Sequence, residues 1–116
     1  MRAPDVIRKC HILAGCTEEP GHITRTFLSP PMVRVNELVR AWMEAAGLQV
    51  RLDAVGNLRG VSGRASEQAP RLMIGSHLDT VPHAGPFDGI LGVIIGIALA
   101  EGRPGHRSVP LELVGF

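Results

Sequence analysis

The chain has 116 residues, enough for one domain, and 45% of them are hydrophobic, which argues against disorder along its length. Twelve basic and 11 acidic residues give a net charge of +1, so no basic excess is available to bind a nucleic acid backbone. Aromatic residues make up only 3%, too few for a platform that stacks single-stranded bases. Cys10 and Cys16 do not form a disulfide scaffold or a common zinc spacing, so we expect free thiols.

No segment has the pattern of a signal peptide or a membrane span. Arg2, Asp5 and Arg8 interrupt the N-terminal segment with charges. The longest apolar stretch, residues 90–100, has 11 residues, whereas a membrane span needs about 20. The sequence therefore predicts a soluble, cytoplasmic protein that binds neither membranes nor nucleic acids.

Two helices are predicted in the first part of the chain. Apolar residues at helical spacing within residues 1–15 indicate a short first helix. A second helix is predicted to begin at a Ser29 cap with Pro30 or Pro31 in its first turn, and to end at Gly47 in a left-handed conformation. Its core-facing side is predicted to carry Met32, Val35, Val39, Trp42 and Ala46.

The remaining chain is predicted to form four strands and a third helix. Alternating residues predict strands at 48–52 and 58–61, and an apolar run at 71–75 predicts a strand buried on both faces. Residues 89–101, apolar all round, predict a buried helix, and alternation at Val109, Leu111 and Leu113 predicts a last strand. A strand–helix–strand order implies a right-handed parallel crossover. We therefore expect an α/β fold with a mixed sheet and flanking helices.

Most residues capable of site chemistry lie in one segment, residues 75–89, which contains His77, Asp79, His83 and Asp88. The segment follows a predicted buried strand, and ligand sites in α/β sheets lie at the carboxyl ends of parallel strands. A neutral imidazole is a common metal ligand whose second nitrogen needs an orienting partner, a role open to Asp79. A carboxylate such as Asp88 offers two oxygens and can bridge two cations.

Purely structural roles are available to the same side chains. Asp88 could cap the following helix, and Asp79 could stabilise a turn. His77 could be a buried histidine whose hydrogen bonds are satisfied within the core. The spacing alone leaves both interpretations open.

Residues 75–93, GSHLDTVPHAGPFDGILGV, resemble the first metal-binding signature of the di-metal aminoacylase and carboxypeptidase family of hydrolases. Residues 21–30 and 52–60 resemble the branch that contains allantoate amidohydrolases and N-carbamoyl-L-amino-acid hydrolases. The resemblance spans residues 6–116. It implies that residues 1–116 form the N-terminal part of a zinc-exopeptidase-like catalytic domain, truncated after an apolar strand that ends at Phe116.

The resemblance also implies roles for single residues. His77 corresponds to a ligand of one metal, Asp88 to the carboxylate that bridges two metals, and Asp79 to the residue that orients His77. A cis peptide bond is expected after Asp88. His83 is expected to be a plain loop residue and Arg25 receives no role. The other histidines are expected in loops or at the surface: His11, His22 and His106.

The implied activity is hydrolysis of a C–N bond, other than a peptide bond, in a linear ureide or amidine such as allantoate. Two divalent ions, manganese or zinc with cobalt or nickel as further options, would activate water in a homodimeric enzyme. The family's general base and remaining ligands lie beyond residue 116, so the isolated chain is expected to be inactive. Alternatives are an N-carbamoyl-L-amino-acid hydrolase, an aminoacylase or peptidase, and a non-catalytic α/β module that binds a partner.

Overall fold

The computed structural model describes residues 1–63, 68–102 and 109–116. Their elements follow the predicted order of two helices, three strands, a helix and a strand. His106 and most of the turn predicted at 102–105 lie outside the described residues. The elements are α1 (Ala3–Ala14), α2 (Pro31–Ala45), β1 (Leu48–Leu52), β2 (Leu58–Ser62), β3 (Leu72–Ser76), α3 (Ile90–Glu101) and β4 (Leu111–Gly115).

The four strands form one mixed sheet in the order β1-β2-β4-β3. The β1–β2 and β2–β4 pairs are antiparallel, and β3 and β4 are parallel with Leu72 opposite Leu111. Helix α3 connects the parallel pair and packs against both of its strands and against α1, while α2 packs on β1 and β2. The mixed sheet and the parallel crossover predicted from the sequence are confirmed.

The burial of the two parallel strands differs from the prediction. Leu72 and Met73 of β3 are 47% and 53% exposed, so the prediction of a strand buried on both faces is wrong. Among the described strands β3 lies at the edge of the sheet, whereas β4 lies between β2 and β3, which accounts for the difference. All five residues of β4 are buried, including Glu112 and Val114, which alternate with the leucines of the predicted strand.

Glu112 shows how a charged residue can occupy that central strand. Its side chain is 3% exposed and is held by two arginines, with Glu112 Oε1 2.7 Å from Arg59 Nε and Oε2 3.1 Å from Arg71 Nη1. A buried carboxylate is costly unless it is paired and hydrogen-bonded. The two guanidinium groups supply that compensation.

The second helix keeps its predicted end but not its predicted cap. Gly47 follows the helix with φ of 83°, the left-handed conformation expected from the sequence. The Ser29 side chain makes no capping hydrogen bond, because Pro30 precedes the first helical residue in helical geometry. Trp42 is only partly buried and carries the Lys9 ammonium 4.0 Å from its ring centre. Met43 is fully buried on this helix.

The two cysteines and the length of the helices can be compared with their predictions. Cys10 and Cys16 are free, as expected, and burial raises the pKa of the Cys10 thiol. None of the helices in the described ranges has the length and apolar character needed to cross a membrane.

Close packing of α3 on the sheet depends on Gly96. A Cβ atom at this position would collide with the Leu113 side chain of the central strand. We expect Gly96→Ala to lower the free energy of unfolding by about 1–3 kcal/mol, because Leu113 is fully buried and cannot move into solvent. Gly102→Ala, at the end of the same helix with only ordinary contacts, is the control and should change it by less than about 1 kcal/mol. Urea unfolding of both variants tests the difference, and equal effects would contradict this account.

Candidate metal centre

His77 is the first residue after β3. Hydrogen bonds to the chain after β4 continue on both sides of His77 and hold its backbone in place. Phe116 N donates to the Ser76 carbonyl at 2.9 Å, and Leu78 N donates to the Phe116 carbonyl at 2.8 Å. The residues before and after His77 are both hydrogen-bonded to Phe116, the residue that follows β4. His77 therefore lies at the carboxyl end of a parallel strand, where the sequence placed the candidate site.

Two carboxylates flank the imidazole of His77 on opposite ring nitrogens. His77 Nδ1 lies 3.2 Å from Asp79 Oδ1 and 2.9 Å from the Asp79 carbonyl oxygen. His77 Nε2 lies 3.6 Å from Asp88 Oδ1. The structure thus brings together the three residues singled out from the sequence.

The positions of these side chains bear on the structural roles that the sequence left open. The His77 side chain is 47% exposed, so it is not a core histidine. Helix α3 has Gly89 at its cap position and no side-chain capping bond, so Asp88 is not its cap. Asp79 directs a carboxylate oxygen at the imidazole. The three side chains therefore form an open polar cluster in which Asp79 and Asp88 lie on either side of the His77 ring.

The backbone after Asp88 differs from the expectation. No described peptide bond is cis, including the one between Asp88 and Gly89. Gly89 instead has φ of 66° and ψ of −47°, and Ile90 N donates to the Asp88 carbonyl at 2.7 Å. This is a γ-turn with positive φ, a conformation that glycine accepts most readily. The sharp turn into α3 is therefore made by the glycine dihedral angles and not by a cis bond.

The geometry of His77 and Asp88 fits a shared cation. An Nδ1–H that donates to Asp79 leaves the Nε2 lone pair facing Asp88. A separation of 3.6 Å between His77 Nε2 and Asp88 Oδ1 accommodates one cation about 2.1 Å from each atom. Stable protein sites for such ions use three or four protein ligands. His77 and Asp88 would therefore provide two of the ligands that such a site needs.

Arg25 lies beneath the site loop, with only 1% of its surface exposed. Its Nε donates to the Leu78 carbonyl at 3.0 Å, and its Nη1 donates to the carbonyls of Leu13 and Cys16 at 3.0 and 2.7 Å. The backbone of Arg25 also pairs with Thr80, donating to its Oγ1 at 2.8 Å and accepting from its N–H at 2.7 Å. The residue joins the end of α1 to the loop that carries the candidate ligands.

Sequence reasoning gave Arg25 no role, although its segment carried the family resemblance. Desolvation by burial lowers the pKa of the Arg25 guanidinium, and the nearby Cys16, Asp79 and Asp88 oppose that shift. The positive charge of Arg25 therefore lies close enough to the carboxylates of Asp79 and Asp88 to interact with them. Its partners are mostly backbone carbonyls, which leave no pattern in a sequence.

A second cluster of metal-ligating side chains was also missed. His22 and His83 were expected to be plain loop or surface residues, and His83 does lie in the loop that follows β3. Their rings stack with centroids 4.0 Å apart, and His83 Nε2 lies 3.0 Å from Glu19 Oε2. Glu19 and His83 are 64 residues apart, so no local motif could have revealed the contact.

Known proteins similar to this chain in sequence and in fold are amidohydrolases and amidases. No protein-family model matches the chain. Allantoate deiminase 1 from Glycine max is 37% identical over 117 residues, covering 97% of this chain and 24% of that protein. The N-carbamoyl-L-amino acid amidohydrolase from Geobacillus stearothermophilus is 38% identical over 99 residues, covering 83% of this chain and 24% of that protein.

A solved structure has the same fold. A hydantoinase/carbamoylase family amidase from Burkholderia ambifaria superposes with a TM-score of 0.86 at 34% identity, covering all of this chain and 30% of that one. The chain belongs to the amidohydrolase family that contains allantoate deiminases and N-carbamoyl-L-amino acid amidohydrolases. Its fold is that of the matching α/β part of the hydantoinase/carbamoylase family amidase. It spans about a quarter of the length of the curated relatives named above.

The Arg25 network predicts a large loss of stability on substitution. Arg25→Met should lower the free energy of unfolding by at least about 3 kcal/mol, because it leaves two buried carbonyls and one partly buried carbonyl without their charged donor. Arg34→Met is the matched control, since the Arg34 side chain is 64% exposed, and it should change stability by less than about 0.5 kcal/mol. Chemical denaturation measures both, and a small effect at Arg25 would show that the network is dispensable.

Gly89 generates a prediction about the position of His77. A Cβ atom at residue 89 would collide with the His77 ring and carbonyl, and the positive φ would strain any side chain. We expect Gly89→Ala to shift the imidazole NMR resonances of His77, assigned by comparison with His77→Gln. Gly85→Ala, where an added Cβ meets nothing within 4 Å, should leave them in place. Unchanged resonances in Gly89→Ala would contradict the tight packing of glycine against imidazole.

Proposed function

We propose that the chain is part of a metal-dependent hydrolase that cleaves C–N bonds, other than peptide bonds, in linear ureides such as allantoate. The observation that carries this proposal is the arrangement around His77. Its Nε2 faces Asp88 at 3.6 Å while its Nδ1 is held by Asp79 at 3.2 Å. Names of relatives that include allantoate deiminase and N-carbamoyl-L-amino acid amidohydrolase support the reaction class.

In this proposal each of the three residues has one task. His77 and Asp88 hold a cation, and the second oxygen of Asp88 gives it the capacity to bridge to another. Asp79 accepts the Nδ1 proton of His77 and so fixes the tautomer whose Nε2 can bind metal. A bound metal ion lowers the pKa of a water molecule and polarises the scissile carbonyl.

The loop gives these side chains their orientation. Val81 N lies 3.4 Å from Asp88 Oδ2, so the backbone can donate to the carboxylate oxygen that does not face His77. Arg25 fixes the base of the same loop through Leu78 and Thr80. These contacts help to hold Asp88 facing His77. We propose manganese or zinc as the two ions, with cobalt or nickel able to replace them.

The proposed substrates are small ureides or N-carbamoyl amino acids. Allantoate comes first because Allantoate deiminase 1 from Glycine max aligns with 97% of the chain. N-carbamoyl-L-amino acids come second, on the Geobacillus stearothermophilus relative. A homodimeric, cytoplasmic enzyme belongs to the same proposal. Peptidase or aminoacylase activity is disfavoured by residues 24–30, which resemble the amidohydrolase branch.

The test uses the protein encoded by the complete reading frame that contains residues 1–116. After chelation and reloading with Mn²⁺ or Zn²⁺, ammonia release is measured with allantoate and with an N-carbamoyl-L-amino acid. His77→Ala and Asp88→Ala should each lower kcat/KM by at least about 100-fold, because each removes a metal ligand. Asp79→Asn should lower metal affinity by about 10- to 100-fold, with activity restored in part by excess metal.

The control is His11→Gln, an exposed histidine on α1 that contacts the Phe87 ring, and it should retain activity within about twofold. Hydrolysis of N-acyl amino acids or dipeptides with no turnover of ureides would replace the proposal by the aminoacylase or peptidase alternative. Full ureide hydrolysis by His77→Ala would remove His77 from the metal centre.

A further inference from the structure

Three side chains from two separate loops meet on the surface beside the site loop. Glu19 and His22 lie in the loop that follows α1, and His83 lies in the loop that follows β3. One ligand atom from each residue lies within 4.8 Å of the others. Two imidazoles and one carboxylate are a common ligand set for zinc and related ions.

We propose that Glu19, His22 and His83 form a second binding site for a divalent cation of the zinc class, separate from the pair formed by His77 and Asp88. The three side chains are exposed, so the ion can enter from solvent and keep a water molecule in its fourth position. The site joins the two loops through a single ion.

The backbone already holds the ligands near one another. Thr17 Oγ1 accepts from the N–H groups of Glu19 and Thr24 at 3.2 and 3.0 Å and donates to the His22 carbonyl at 2.7 Å. A single hydroxyl therefore folds the first loop so that Glu19 and His22 lie side by side. Binding does not have to organise this loop, which lowers its entropic cost.

The second loop is attached to the first at His83. His83 N donates to Thr24 Oγ1 at 3.0 Å, and Ala84 N donates to the Ile23 carbonyl at 2.8 Å. His83 also has φ of 54°, an uncommon conformation for a residue other than glycine. These two hydrogen bonds hold His83 in that conformation and direct its ring onto His22.

Glu19 has the surroundings of an oriented ligand. Thr24 Oγ1 donates to Glu19 Oε2 at 3.2 Å, and the same oxygen lies 3.0 Å from His83 Nε2. Hydrogen bonds to a ligating carboxylate fix its direction and contribute to metal affinity. The two rings stack in nearly parallel planes, 11° apart, so a shared ion requires one ring to rotate, which the exposure of both side chains permits.

The experiment uses the chain with His77→Gln, which removes the first centre so that the result does not depend on the proposed function. Isothermal titration with ZnCl₂ should show one binding site. Adding His83→Gln or His22→Gln should weaken Zn²⁺ binding by at least about tenfold, since losing even a residue that only supports a ligand costs about 10- to 100-fold. Adding His11→Gln, which removes an exposed histidine elsewhere, should leave the affinity unchanged.

Electron paramagnetic resonance with Cu²⁺ gives an independent readout. The His77→Gln chain should show two coordinated imidazole nitrogens, and one after the addition of His83→Gln. Circular dichroism verifies that each variant keeps its fold. The proposal is overturned if His77→Gln binds no Zn²⁺, if His83→Gln leaves its affinity unchanged, or if His11→Gln weakens binding equally.

Discussion

The buried guanidinium of Arg25 is the constraint on which the rest of this structure depends. A charge removed from water is tolerated only when hydrogen-bond partners surround it, and Arg25 obtains them from the carbonyls of Leu13, Cys16 and Leu78. Two of these carbonyls lie at the C-terminal end of α1, where the helix dipole also favours a positive charge. Satisfying one side chain therefore brings the end of α1 and the start of the site loop to the same point. Thr80 then pairs with the Arg25 backbone and extends that attachment along the loop.

The site geometry follows from this attachment. The loop after β3 is fixed at its start by Arg25, in its middle by the hydrogen bond between Ala84 and Ile23, and at its end by the turn at Gly89. A positive-φ γ-turn is strained for most residues but is accessible to glycine, so Gly89 permits this turn. With both ends held, Asp88 is directed back toward His77. The distance between His77 and Asp88 is thus a property of the loop and not of the two side chains alone.

Much of this arrangement follows from the sequence because it depends on local periodicity and on one topological rule. The helices, the parallel crossover and the meeting of His77, Asp79 and Asp88 at a strand end are predictable in that way. The exposure of β3 is not, because an apolar run does not reveal whether a strand lies at an edge. Contacts between segments that are distant along the chain cannot be predicted either, because no local pattern encodes them. The partners of Arg25 in the site loop are 53 residues or more away, and most of its acceptors are backbone atoms that any residue would supply.

The loop after β3 contributes residues to both candidate metal sites, so the two sites share one segment of backbone only through His83 and its neighbours. His83 lies between Asp79 and Asp88, and its neighbour Ala84 is bonded to the loop after α1. A cation that joined His83 to Glu19 and His22 would remove freedom from the segment that orients the other two carboxylates. Coupling between sites is a difference in free energy that acts in both directions. An ion that restrained this segment would therefore favour the facing positions of His77 and Asp88, and ions bound there would by the same linkage strengthen its own binding.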